Sequence, residues 1–163
     1  MNRFSIPTRL ASLALGLGMG LTLIGCTTAP AVRDNAGQVV ESGITDVFAI
    51  KIGDCMDEQT GATEVSDVPT VPCGDPHDEE VFGEFTVDGN DFPGDDEMSE
   101  IAFNGCVDRF NDFIGLSYEE SGLDFYPLTP TSTGWTMQND RTINCVAYDP
   151  SAKTTGSLAG AAR

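Results

Sequence analysis

Glu79-Glu80-Val81-Phe82-Gly83-Glu84-Phe85-Thr86-Val87, followed after a short loop by Asp95-Asp96-Glu97-Met98-Ser99-Glu100-Ile101-Ala102-Phe103-Asn104-Gly105-Cys106-Val107-Asp108-Arg109-Phe110-Asn111-Asp112-Phe113-Ile114, decides the fold class. The first stretch alternates. Glu80, Phe82, Glu84 and Thr86 fall on one parity and Val81, Phe85 and Val87 on the other, the pattern of a strand with one mostly buried face. The second stretch changes period. Met98, Ile101, Ala102, Cys106, Phe110, Phe113 and Ile114 recur at three and four, and Phe103 and Val107 widen the stripe, which predicts a helix over 95–114. Its three leading acids suit the positive end of a helix dipole, and Gly115 supplies the stop.

Downstream, Leu123–Leu128 reads as a strand, and Arg141–Tyr148 as the last one, with Ile143, Cys145 and Ala147 alternating against Thr142, Asn144 and Val146. Between them Thr131–Met137 fits one helical turn with Trp135 packed inward; Trp135 and the nine phenylalanines read as core. Upstream, Val47–Ile52 is β-rich, and Gly53-Asp54 turns the chain into Cys55. Val65–Val71 is a second strand candidate, interrupted by Asp67 and Pro69, and Pro72–Asp78 is a turn. Lys153–Arg163 reads as a loosely held tail. Strands, one long helix, then strands imply an α+β fold, an antiparallel sheet covered on one face by the main helix.

The N-terminus carries an address. Arg3 and Arg9 precede Leu10–Ile24, an apolar or small run, and no acid occurs before Asp34. Fifteen residues of helix span roughly 22 Å, short of a ~30 Å hydrocarbon core, so residues 1–25 read as a signal peptide. Leu23-Ile24-Gly25-Cys26 resembles a bacterial lipobox. A thiol is needed to take up diacylglycerol as a thioether, and a small residue before it admits the peptidase. Cys26 is therefore the expected lipidation site, and two or three acyl chains anchor stably where one does not. Residues 26–44 read as a flexible tether and 45–160 as the domain. The expected location is the extracytoplasmic face of the cell membrane.

Cys55, Cys73, Cys106 and Cys145 remain. An even number in an exported chain points to two disulfides with three possible connectivities. The order of elements favours Cys55–Cys73, tying neighbouring strands, and Cys106–Cys145, tying helix to late strand. Zinc is a poor competitor, because there is no C-x-x-C and the nearest metal-like spacing is Cys73 to His77.

Charge excludes some functions. From Cys26 onward 26 acidic residues face six basic ones, a formal −20 that repels nucleic acid and anionic lipid head groups. His77, the only histidine, stands in an acidic turn, Pro76-His77-Asp78, and is read chiefly as a turn residue bonding nearby backbone; the functional alternatives are a pH-sensitive or metal-binding residue and an interaction turn. No G-x-S-x-G occurs; Gly115-Leu116-Ser117-Tyr118-Glu119 fails at its last position. Asp88–Gly94 is a poor calcium loop, with Phe92 and Pro93 where a ligand and a glycine belong. No phosphate loop or dinucleotide fingerprint is present. Neither enzymatic activity nor a cofactor or metal is expected.

Ile52-Gly53-Asp54-Cys55, Val71-Pro72-Cys73, Pro76 to Phe82, the Phe92-Pro93-Gly94-Asp95 entry to a helix carrying Cys106, Trp135 with Asp140-Arg141-Thr142, Cys145 and Tyr148, and Thr155-Gly156-Ser157-Leu158 together resemble the septum-formation domain family of actinobacterial membrane proteins and lipoproteins. The likeness covers roughly residues 47–160. It implies an extracytoplasmic domain, often lipid- or helix-anchored, with no established catalytic residues. The expected function is a cell-envelope lipoprotein with an interaction domain linked to septum formation or the cell wall and partnered by an envelope or division protein. The alternative is a ligand- or cation-binding lipoprotein of a transport system.

Overall fold

The computed structural model describes residues 29–59 and 64–163. Cys26 and residues 1–25, the expected signal peptide, lie outside them. Eight strands and one long helix form, in chain order, β1 (Val32–Arg33), β2 (Val39–Glu41), β3 (Gly43–Asp46), β4 (Cys55–Met56), β5 (Asp67–Val71), β6 (Glu79–Thr86), α1 (Asp95–Ile114), β7 (Asp124–Leu128) and β8 (Thr142–Tyr148). Strands β1 and β2 make a hairpin. The other six make one sheet, in the order β3-β5-β4-β6-β8-β7, with every neighbouring pair antiparallel. The expected α+β architecture is present.

Helix α1 has the predicted bounds. Met98, Ala102, Cys106, Phe110 and Ile114 are its buried stripe and meet Phe82, Phe125, Ile143, Cys145 and Ala147 on one face of the sheet. Phe110 packs among Phe82, Phe125 and Tyr118 at ring-centroid distances of 5.4–5.9 Å. Gly105 lets helix and sheet close up: a Cβ there would lie 2.2 Å from the Phe85 ring. Gly115 ends the helix at φ +83°, donating its N–H to Asn111 O. Both favoured disulfides form, Cys55–Cys73 and Cys106–Cys145.

The alternation in β6 does not hold along its whole length. Val81 pairs with Val146 and Gly83 with Cys145, so Phe82 is the extra residue of a β-bulge. The bulge resets the parity. Phe82 and Phe85 both join the core beneath α1, whereas Val81 faces the other way, into a second small core with Ile50, Met56, Val68 and Val146. Period-two reading placed Val81 with Phe85 and Phe82 opposite both; one inserted residue reverses this.

Three further stretches differ from expectation. Residues 29–44, read as tether, carry the β1–β2 hairpin and the start of β3. Asp34 closes that hairpin by accepting from the N–H groups of Ala36 and Gln38, and Arg33 reaches Asp54 with two hydrogen bonds of 2.6 Å. Val47–Ile52 is not a strand. The Asp46 carboxylate accepts from Phe48 N at 2.8 Å and starts a 3₁₀ turn over Val47–Ala49, leaving Phe48 and Ile52 exposed. The C-terminal segment is docked rather than loose. Thr154 exchanges two backbone hydrogen bonds with His77, Leu158 is buried, and Gly160 N and Ala162 N donate to Phe113 O and Ile114 O, the carbonyls a helix end leaves free.

Pro69 lies inside β5, yet the strand forms. Asp57 N donates to the Pro69 carbonyl just where β4 ends, so the proline's missing N–H falls where no further ladder partner stands.

Candidate functional site

Helix α1 covers one face of the sheet. Among the described residues, 47–50 and 64–66 cover only part of the other face, and the rest forms a cleft of about 1330 Å³. Its floor follows from strand register. Glu84 on β6 lies opposite Asn144 on β8, which lies opposite Leu128 on β7, and Thr86 lies opposite Thr142. These residues alternate with Gly83, Phe85, Ile143 and Cys145, which turn toward α1, so the open face receives the polar half of both strands.

One wall is Val47, Phe48, Ile50 and Val65; the other is the segment between β7 and β8. That second wall is fixed by Trp135, in the expected helical turn, here wound over Gly134–Gln138. Trp135 is buried, donates Nε1–H to Asn90 O at 3.0 Å and meets Phe92 edge to face. The Arg141 guanidinium lies 3.7 Å from the Trp135 ring centre and donates to the carbonyls of Trp135, Asp140 and Gly89. The Trp135 and Asp140-Arg141-Thr142 motif therefore builds a wall, and Arg141, the only cation lining the cleft among the described residues, is already committed.

The Pro76-His77-Asp78 turn is elsewhere. Pro76 is exposed, and Asp78 accepts from Lys153 at 2.8 Å. His77 is fully buried, with Nδ1 donating to Asp75 O at 2.8 Å and its backbone paired with Thr154. Its imidazole therefore cannot touch a partner at the surface. One ring nitrogen, the Cys55 sulfur and a Glu80 oxygen lie within 4.8 Å of one another. Two of the three are held by other bonds: Cys55 is joined to Cys73, and the Glu80 carboxyl accepts from Ser157 Oγ and Leu158 N, while His77 Nε2 has no hydrogen-bond partner among the described residues. It works as a packing centre that holds the C-terminal segment. The Asp88–Gly94 loop is irregular, and among the described residues no carboxylate group in it converges on a point as metal ligands would.

Beside the cleft a smaller recess of about 300 Å³ includes Glu79 and Tyr126. Tyr126 donates its hydroxyl to Glu79 Oε2 at 2.8 Å. Burial pushes the Glu79 carboxyl up from its ordinary value of 4.5 and outweighs the lowering effect of the Tyr126 bond, with Glu58, Asp78 and Asp57 adding repulsion. The folded state then holds the proton more tightly than the unfolded state. The contribution is fully present below about 4.5 and is lost as pH rises through the folded value. Glu79→Gln is expected to flatten this decline, so the urea midpoint of the variant should gain on the wild type between pH 4 and 7. Parallel midpoint curves would contradict the assignment.

The sequence placed Asn144 and Glu84 on strands, but the cleft itself was not readable, because its walls come from segments about 65 to 90 residues apart in the chain. No curated protein and no solved structure matches the chain. A family profile described as Septum formation matches residues 52–162, from the turn before Cys55 to the docked C-terminal segment. With most of its length matched, the chain belongs to the septum-formation family.

Proposed function

We propose that this chain is a cell-envelope lipoprotein, exported by residues 1–25, anchored through lipid on Cys26, and presenting a non-enzymatic interaction domain on the extracytoplasmic face. Its place is in septum formation or an associated cell-wall process, and its partner is an envelope or division protein met through the open sheet face. The observation that carries the interaction reading is the broad polar cleft on the open sheet face, with the single histidine buried beneath the opposite face. The formal −20 carried after the signal peptide argues against attachment by charge, which leaves lipid to do it. No helix among the described residues is long and apolar enough to cross a membrane.

Two measurements test this. Cys26→Ala should abolish incorporation of radioactive palmitate and release the protein from membranes; a labelled variant would refute the anchor. A photo-crosslinking residue at Thr86, on the cleft floor, should capture a discrete partner in intact cells, whereas one at exposed Asp96 on α1 should not. Equal capture from both positions would rule out the cleft as the interaction face.

A further inference from the structure

We infer that the cleft receives a cationic peptide segment, with a lysine or arginine head group held between Glu84 and Asn144. This rests on the reading of the open face as an interaction surface and names what that surface takes.

Asn144 is 7 % exposed, on the cleft floor, and its Oδ1 has no hydrogen-bond partner. No other described residue bonds its carboxamide. A buried amide left unbonded is costly, and a ligand bearing N–H donors removes that cost. Glu84, its cross-strand neighbour, is exposed and also unbonded, so a carboxylate stands beside a buried, unpaired amide oxygen that a ligand donor meets once the Asn144 side chain turns toward the cleft. Asp88 and Asp140 continue the negative charge along the cleft. The one cation there among the described residues, Arg141, is turned onto Trp135 and backbone carbonyls and forms no ion pair with these acids.

The arrangement of these acids distinguishes the ligand. They do not converge on one point; among the described residues the only ligand-like group is the buried one at Cys55, His77 and Glu80. Spread charge suits an extended chain with several positive groups better than a single metal ion. Leu128, opposite Asn144, with Ile50 and Val65 on the adjoining wall, offers an apolar lining for the aliphatic stem of a lysine or arginine. A neutral glycan would satisfy the amide but leave the carboxylates unmatched.

The test is an NMR titration of the full chain in detergent with acetylated tetralysine amide, the tetraglutamate equivalent and chitotetraose as probes. Tetralysine is expected to shift the Asn144 side-chain amide signals, with an affinity that weakens as salt is raised. Glu84→Gln should weaken binding about fivefold, as expected for one partly exposed charge pair, and Asn144→Leu should also weaken it. Glu97→Gln removes the same charge from α1 and should change nothing, which separates the cleft from the general acidity of the domain. An unmoved Asn144 signal, a larger response to chitotetraose, or Glu84→Gln behaving like Glu97→Gln would overturn the proposal. If crosslinking at Thr86 still captured a partner in that case, the interaction face would stand and only its cationic occupant would fall.

Discussion

Replacing Cys106 and Cys145 together by alanine is expected to destabilise the domain by about 4 kcal/mol, the loop-closure entropy of a bridge across this separation. The two residues are 39 apart in sequence, and both are fully buried beneath α1. The bridge joins the middle of the helix to the strand beside β6, so it constrains the contact that forms the larger core. On a domain of this size the melting temperature should fall by roughly 15 °C. Cys55–Cys73 closes a shorter loop, 18 residues apart, and Cys73 is partly exposed. Its loss should cost about 3 kcal/mol. Mild reductant should also open it first, since thiol attack needs access. Urea unfolding of both double variants, with mass spectrometry after graded reduction, checks the order. A larger loss on removing the outer bridge would contradict this account.

Glu80→Ala should be nearly as severe, at about 4 kcal/mol, because two hydrogen bonds to a buried carboxyl are lost together. Glu80 is fully buried, and its two oxygens accept from Ser157 Oγ and Leu158 N. Without them the Leu158 N–H is stranded and the segment over Lys153–Arg163 loses its central clasp. Glu80→Gln should cost less. Its amide oxygen can keep the Leu158 N–H, and the Ser157 hydroxyl can rotate to accept from the new amide. Amide exchange at Leu158 and Gly160 reports the segment directly. In Glu80→Ala it should speed up well before global unfolding, and protection equal to wild type would refute the clasp.

What was legible in the sequence followed from periodicity and from cysteine count. The helix over 95–114 could be read because its stripe runs five turns and ends on a glycine that takes positive φ. The disulfide pairs could be read because the helix places Cys106 on the buried stripe and β8 places Cys145 on the parity of Ile143 and Ala147. The bulge at Phe82 could not be read, since an inserted residue leaves the composition of a strand unchanged and shows only in the partner's register. The β1–β2 hairpin had a signal that polar composition hid: Asp34 and Gly37, at φ +88°, form a tight turn between short valine-bearing strands. Docking of the C-terminal segment depends on Glu80, 78 positions from Leu158, and such a pairing has no local signature. The cleft was hidden for the same reason, although its Trp135 and Arg141 wall lay within the motif that carried the family resemblance.

The first described residue, Ala29, is already paired: its carbonyl accepts from Ile44 N at 2.8 Å on the edge strand β3. Only three peptide steps separate Ala29 from Cys26, at most about 11 Å of chain. Were Cys26 lipidated as proposed, this edge would stand close to the lipid head groups like a post on a short footing, and the domain could not swing far outward. The turn that follows β3 forms a cleft wall, so such an anchor would hold the mouth of the cleft at low altitude. Juxtamembrane stretches of integral proteins would then come within its reach, and material stationed farther from the bilayer would not.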